Sequence, residues 1–396
     1  MDNRLIYTAA LYSNVIKREG LDWLQAGENE AYLSNVFVRI SKKELAAFKE
    51  AATELTALGL KAAKQIVKND LWEEAGIPEN AIEIIKYSMK HDRDMHLLNR
   101  FDFAGGIDGI PIKLLEFNAD TCSLMPETTI VQEEHWIQEQ YKLSEKPFND
   151  LVNSLAENFE KILKLNPKKD KTLLISTLDH EEDLLNVDII VKAAEKAGFE
   201  DVQLMPLDKI IFSPEEGIFI ELNEAHYQRY DFFYKFIPWE FIAYEEPELM
   251  DILTSIVTNE LGIILNPAYT MLLQSKAIAK FMYDLEPYNP YLLKTTLDAK
   301  DFPANFYVSK PVFGRMGENI AYYDGDSDPE YETEGDYEDF DKVYQELAKF
   351  NVDRKEHRYQ PSVFYTHEPC GIAIRRQDDL IIDDDAEFVG HTIAFQ

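Results

Sequence analysis

Between residues 99 and 120 the apolar positions recur with the period of two that a β-strand requires. Charged and aromatic side chains alternate in Arg100-Phe101-Asp102-Phe103, and Ile112-Lys113-Leu114-Leu115-Glu116-Phe117-Asn118 alternates more loosely. Gly105-Gly106 and Asp108-Gly109 between them are turn formers, so the pattern predicts a hairpin. Residues 1–40 read as packed irregular structure. Ser41-Lys42-Lys43-Glu44 is a capping box, and Leu45, Phe48, Leu55 and Leu58 continue from it as a helical stripe. Pro126 is placed to open a helix carrying Ile130, Ile137 and Tyr141, and a further helix is expected over 150–165. After Asn166-Pro167-Lys168-Lys169 the texture changes. Short apolar runs at 172–177, 202–205, 217–222 and 262–265 alternate with helical patterns at 185–197 and 249–261, which predicts a mainly parallel sheet. Strands follow at 306–309, 362–365 and 371–376. The acid-, tyrosine- and glycine-rich run 324–341 reads as a solvated, mobile connection, and the chain closes in an acidic tail ending Phe388-Val389-Gly390-His391.

Composition narrows the function classes. A chain of 396 residues with 45% hydrophobic content can bury a large core and divides naturally into two or three domains. Its formal charge of −33 argues against nucleic acid or an anionic membrane as partner. Two cysteines, Cys122 and Cys370, imply no disulfide framework. With no signal peptide and no run of about 20 apolar residues, the expected compartment is the cytoplasm.

Candidate chemistry collects on the hairpin. Residues two apart share a strand face, so Arg100 lies with Asp102 and Glu116 with Asn118. Asp102, Glu116 and Asn118 then offer hard oxygen ligands of the kind Mg2+ takes, with an arginine alongside. The competing reading is an ordinary hairpin with a solvated polar face. In Asp179-His180-Glu181-Glu182-Asp183, acids follow a strand of the parallel unit, where ligands meet such sheets. They suit a cationic group, and equally they stabilise a helix N-terminus. Lys310, followed by a loop with Gly314 and Gly317, suits a phosphate, since glycines let backbone N–H groups approach an anion. Neither the P-loop nor the Rossmann fingerprint is present.

Taken together, these stretches resemble a family. Lys-Leu-Leu-Glu-Phe-Asn-Ala-Asp-Thr (113–121) is similar to the K-x-x-E-x-N-A-D-[TS] motif in the amide synthetase part of glutathionylspermidine synthase. Pro238-Trp239-Glu240, residues 310–315, 343–346 and 371–375 resemble further motifs of that family in the same order. The resemblance covers most of the chain from about residue 70. It implies an ATP-grasp fold in circularly permuted order with an inserted α/β domain on the substrate side. The expected division is 1–168 for the helices and metal-binding hairpin, 169–268 for the α/β domain, and 269–396 for the nucleotide-binding lid and the rest of the core. The cysteine-type amidase domain of bifunctional members has no counterpart.

Roles follow by resemblance, position by position. Asp102, Glu116 and Asn118 match the magnesium ligands, and Arg100 the arginine that steadies the acyl-phosphate. Lys276 and Lys310 match the lysines on the ATP phosphates. Gly314 and Gly317 belong to the lid loop, and Tyr344 and Gln345 to the hinge strand beside adenine. Thr121, Ser123, Arg315 and Arg375 match positions that hold the acid, and Glu182 and Asp183 the acidic pair near the polyamine. The implied activity joins a small-molecule acid to an amine at the expense of ATP. Three departures stand nearer the substrates than the nucleotide: Met316-Gly317-Glu318 where the family has E-G-A, Cys122 between the two hydroxyls, and Arg376 where a glutamate is usual. An alternative is a catalytically silent nucleotide-binding module that gates a partner, and a weaker one is a metal phosphohydrolase. An arginine kept beside the metal set favours the ligase, because a binding module has no use for it.

Overall fold

The computed structural model describes residues 1–25, 31–178, 180–223 and 226–394. Asp179, part of the acidic stretch considered above, lies outside the described residues. The architecture is mixed α/β, with four sheets among the described residues.

The largest sheet has eight strands. Seven run in the order Leu5–Tyr7, Leu33–Ile40, Glu387–Ile393, Pro369–Gln377, Arg358–Tyr365, Asn99–Ala104 and Lys113–Asn118, and Asn351–Val352 pairs beside Arg358–Tyr365. The expected hairpin is its far edge, in antiparallel register with Arg100 opposite Asn118 and Asp102 opposite Glu116. Opposed residues share a face, so all four project to one side. On the other side Phe101 and Phe117 meet at 4.2 Å between ring centroids and enter the core. The long helix Lys42–Asn69 covers that apolar side. Ser41 Oγ accepts from Glu44 N, and the Glu44 carboxylate accepts from Ser41 N, so the capping box is formed. A Cβ on Gly59 would lie 2.7 Å from the Phe117 ring, which is why the helix can settle so close to the strand.

A four-stranded parallel sheet has the order Ile263–Leu265, Phe232–Phe236, Thr172–Thr177 and Asp201–Leu204, with the helix Glu181–Ala197 stopped at Gly198 in the left-handed conformation. The run at 217–222 is not part of it. Gly217–Asn223 belongs to a separate antiparallel sheet with Ile210–Ser213 and His226–Tyr230. Its expected place is taken by Phe232–Phe236, buried at every position. A five-stranded antiparallel sheet is built from Thr295–Thr296, Lys342–Gln345, Phe306–Pro311, Ala321–Asp324 and Tyr331–Glu332.

Three further expectations are corrected. Residues 324–341 are not merely a loose connection: Tyr331–Glu332 pairs with Ala321–Asp324, Asp336 N donates to Glu318, and Tyr337 N donates to Asn319 Oδ1 at 2.7 Å. The acidic tail is a core strand, Glu387–Ile393, parallel to Leu33–Ile40, itself a strand within the stretch expected to be irregular. The helix after Pro126 begins as a π-helical turn, Glu127–Val131, before Gln132–Glu139, and Ile137 and Tyr141 stay exposed. No helix among the described residues is long and apolar enough to cross a membrane.

Candidate active site

The polar side of the hairpin opens on a cavity of about 970 Å³. Every residue given a role by resemblance lines it except Tyr344, and of the acidic stretch before the helix Glu181 stays off it. In Lys342–Gln345 the period of two turns Gln345 inward and Tyr344 away, where its ring meets Tyr307 edge-on.

At the centre Arg100 grips Asp102 with both ends of its fork, Nε at 2.8 Å and a terminal nitrogen at 3.0 Å, and its other terminal nitrogen donates to the Ser123 carbonyl at 2.9 Å. Both side chains are buried. Burial opposes the charge on each, yet Arg100 holds the Asp102 carboxyl below the usual range, and Asp102 keeps the guanidinium above its own. Asn118 Nδ2 donates to Asp102 at 3.1 Å. Glu116 accepts from Lys276 Nζ at 2.9 Å, and the same ammonium donates to the Gly314 carbonyl at 2.6 Å. Lys310 Nζ donates to Gln345 Oε1 at 2.8 Å and to the Leu115 carbonyl at 3.1 Å. Burial lowers the Lys310 pKa to about 8, although Glu116 acts in the opposite sense.

Two carboxylates and one amide oxygen suit a hard divalent cation that takes its remaining ligands from phosphate or water. No group of three or more His, Cys, Asp or Glu among the described residues forms a metal cluster. A cation here would therefore rest on Asp102, Glu116 and Asn118 together with oxygens from outside the chain.

Toward the other end, Arg315 donates to Thr121 Oγ1 at 2.8 Å and to Glu240 at 3.3 Å. Arg375 donates to the Asp383 carbonyl at 3.2 Å. The Nε–H groups of both arginines are buried without an acceptor. Burial pushes the Glu182 carboxyl up to about 7, reinforced by Glu127 and Asp183, and burial raises Asp183 as well. Cys122 also lines the cavity, and burial lifts its thiol to about 12.

Several lining residues escaped the sequence reading. Trp23 and Tyr32 lie at the acidic end, where Tyr32 donates to the buried Glu127 at 2.6 Å. Phe241, Met316 and Tyr337 line the cavity as well. The loop after Pro369–Gln377 contributes Ile381 and Ile382 and crosses the glycine loop at Gly317, where a Cβ would lie 2.8 Å from that of Asp383. The only forward signal was position, since this loop directly follows the strand that carries Arg375. Arg376 is corrected: it does not line the cavity and pairs with Glu387 at 2.6 Å, so its departure from the family pattern does not touch the cavity.

Comparison with known proteins places the chain among relatives. A protein of Haemophilus influenzae named "Putative acid--amine ligase" is 26% identical over 385 residues, covering 94% of each chain. The bifunctional glutathionylspermidine synthetase/amidase of Escherichia coli is 25% identical over 318 residues, 75% of this chain and 49% of that one. This chain thus aligns with about half the length of that relative. A glutathione synthetase-like effector of Globodera pallida shares the fold, with a TM-score of 0.58 at 10% identity over 91% of this chain and 90% of the other. The family model described as glutathionylspermidine synthase preATP-grasp matches residues 6–394. With a match that runs through the hairpin, the parallel sheet and the five-stranded sheet alike, the chain belongs to the glutathionylspermidine synthase preATP-grasp family.

Proposed function

We propose that the protein is an ATP-dependent ligase joining a carboxylate to an amine through an acyl-phosphate. The observation that carries this is the hairpin register. It sets Arg100, Asp102, Glu116 and Asn118 on one face, across from Lys276 and Lys310, in a cavity large enough for nucleotide and substrates together. Lys276 and Lys310 would hold the ATP phosphates, Gln345 and the lid strand beside it the base, and Asp102, Glu116 and Asn118 a magnesium ion. When bound, that ion supplies charge neutralisation on the phosphates. Arg100, planar and already aimed into the site, would steady the oxyanion as the acyl-phosphate forms and is attacked. Arg315 and Arg375, each with an unmet donor, would receive the acid alongside Thr121 and Ser123. Glu182 and Asp183 would face the amine. Amines are protonated at neutral pH, and a carboxylate raised to about 7 is suited to accept the proton that must leave before attack.

The ATP-grasp core is read as circularly permuted, with the division 1–168, 169–268 and 269–396. Two features support this. The largest sheet is assembled from both ends of the chain, and the four strands of the parallel sheet all come from 172–265. The test is phosphate release from ATP against a panel of peptides and diamines. Release that needs both an acid and an amine is the expected result. Tight ATP binding with no turnover by any pair would replace the ligase with a nucleotide-gated binding module.

A further inference from the structure

Glu240 is a buried carboxylate to which the reaction assigns nothing. It sits in the first turn of the helix Trp239–Glu245, whose start is fixed because Trp239 N donates to the Asp120 carboxylate at 2.9 Å. Its side chain is 3% exposed. One oxygen accepts from Arg315 at 3.3 Å, and the other meets no donor. A buried charge left half-satisfied does not stabilise a fold, so packing gives no reason for a carboxylate at this position.

Arg315 supplies that reason. It belongs to the lid loop, and one terminal nitrogen is shared between Glu240 on the helix and Thr121 on the hairpin's exit. The Phe241 ring lies 5.6 Å from the guanidinium carbon. Thr121, Phe241 and Arg315 line the cavity, whereas Glu240 lies behind its wall. The guanidinium is therefore held from the rear at one nitrogen, while its Nε–H has no protein acceptor.

We propose that Glu240 is a positioning residue, anchoring Arg315 across the cavity so that the lid arginine stands ready for a carboxylate of the acid substrate. That the incoming carboxylate belongs to a substrate rests on the ligase reading; the anchoring itself does not. Glu240 acts through charge at a distance from the reacting atoms. Removing that charge frees the lid loop and weakens the acid's hold, and leaves the lysines on the nucleotide as they are.

The test is amide hydrogen exchange in the lid loop, residues 314–320, for the wild type, Glu240→Gln and Glu240→Ala. Losing one charge-assisted bond should speed exchange there by about tenfold, with the helix Lys42–Asn69 unchanged as an internal standard. Acetate should restore lid protection in Glu240→Ala by refilling the vacated space with a carboxylate, and chloride at equal ionic strength should not. Glu240→Gln keeps the volume and guards against a folding defect in the smaller variant. Unchanged lid exchange in both variants would overturn the proposal. So would faster exchange spread equally into the long helix, or faster lid exchange that acetate fails to restore, since each marks a residue that only supports the fold. Acetate rescue in a protein that turns over no acid would uphold the anchoring and bring down the ligase reading alone.

Discussion

Two buried ion pairs, one on the hairpin and one at its exit, behave as opposites. Arg100–Asp102 faces the cavity, while Asp120 and Lys235 are sealed behind it. Lys235 donates to both Asp120 oxygens, at 2.9 and 2.8 Å, and to the Ile237 carbonyl at 3.0 Å, with the Trp239 ring 4.4 Å beneath its ammonium. Asp120 also takes the Trp239 N–H, so no strong bond is left to offer a ligand. Arg100 is also engaged at all three nitrogens, but it keeps two N–H groups, and Asp102 and Arg100 border open space where other partners can replace them. Buried charge alone therefore does not mark a site. The distinction lies in whether the pair can be exchanged.

The largest expected effect tests the sealed half. Asp120→Asn leaves Lys235 charged or forces it neutral in a dry enclosure, and should cost about 3–5 kcal/mol in denaturant unfolding. Asp102→Asn should cost no more than about 2 kcal/mol, because Arg100 can turn toward water in the cavity. Equal losses would erase the contrast.

Next, Arg100→Lys should slow single-turnover phosphate release by about a hundred- to a thousandfold, the usual result of losing one preorganised donor. ATP affinity should hold nearly constant, since a lysine keeps the charge and loses only the fork. A matching fall in ATP affinity would make Arg100 a ground-state binder instead. Lys310→Ala should weaken ATP binding by about 1.5–3 kcal/mol, and calorimetry giving an unchanged affinity would remove it from the phosphate site.

The smallest effect concerns pH and again belongs to the sealed half. His96 bonds through Nε2 to the Leu98 and Ala119 carbonyls, next to Asp120, and burial lowers its pKa to about 4. The unfolded chain regains a value near 6.5 and takes up the proton first. Stability present at neutral pH is therefore lost as pH falls from 6.5 toward 4. Between pH 7 and 5 this should amount to about 2 kcal/mol, and His96→Gln should flatten that part of the profile. A wild-type-minus-variant difference in stability that does not change over this interval would mean that His96 titrates in the fold as it does in the unfolded chain.

Much of the cavity face was legible because the hairpin is local. Glycine turns and alternation are written within some twenty residues, and so is the capping box at Ser41. Phe232–Phe236 was not legible, because a strand buried on both faces shows no alternation and its lysine has a partner 115 residues away in sequence. Glu387–Ile393 was hidden by the acids before it, and its neighbour Leu33–Ile40 lies at the far end of the chain. Trp23, Tyr32 and Glu127 meet at the cavity only through tertiary packing, and nothing in their spacing announces it. The acids of 324–341 were read from composition, whereas what anchors that segment is backbone N–H groups donating to Glu318 and Asn319.

The pairing of Leu33–Ile40 with Glu387–Ile393 also sets a timetable for the growing polypeptide. Phe37 lies opposite Gly390, so an apolar strand made early must wait for roughly 350 more residues, about 20 to 70 s at ordinary translation speeds. The hairpin waits as well, since its inner strand pairs with Arg358–Tyr365. Local helices and the parallel sheet can form on the ribosome meanwhile, but the surface that gathers the charged groups comes last. A nascent chain thus carries nearly every residue of the site well before it has a site.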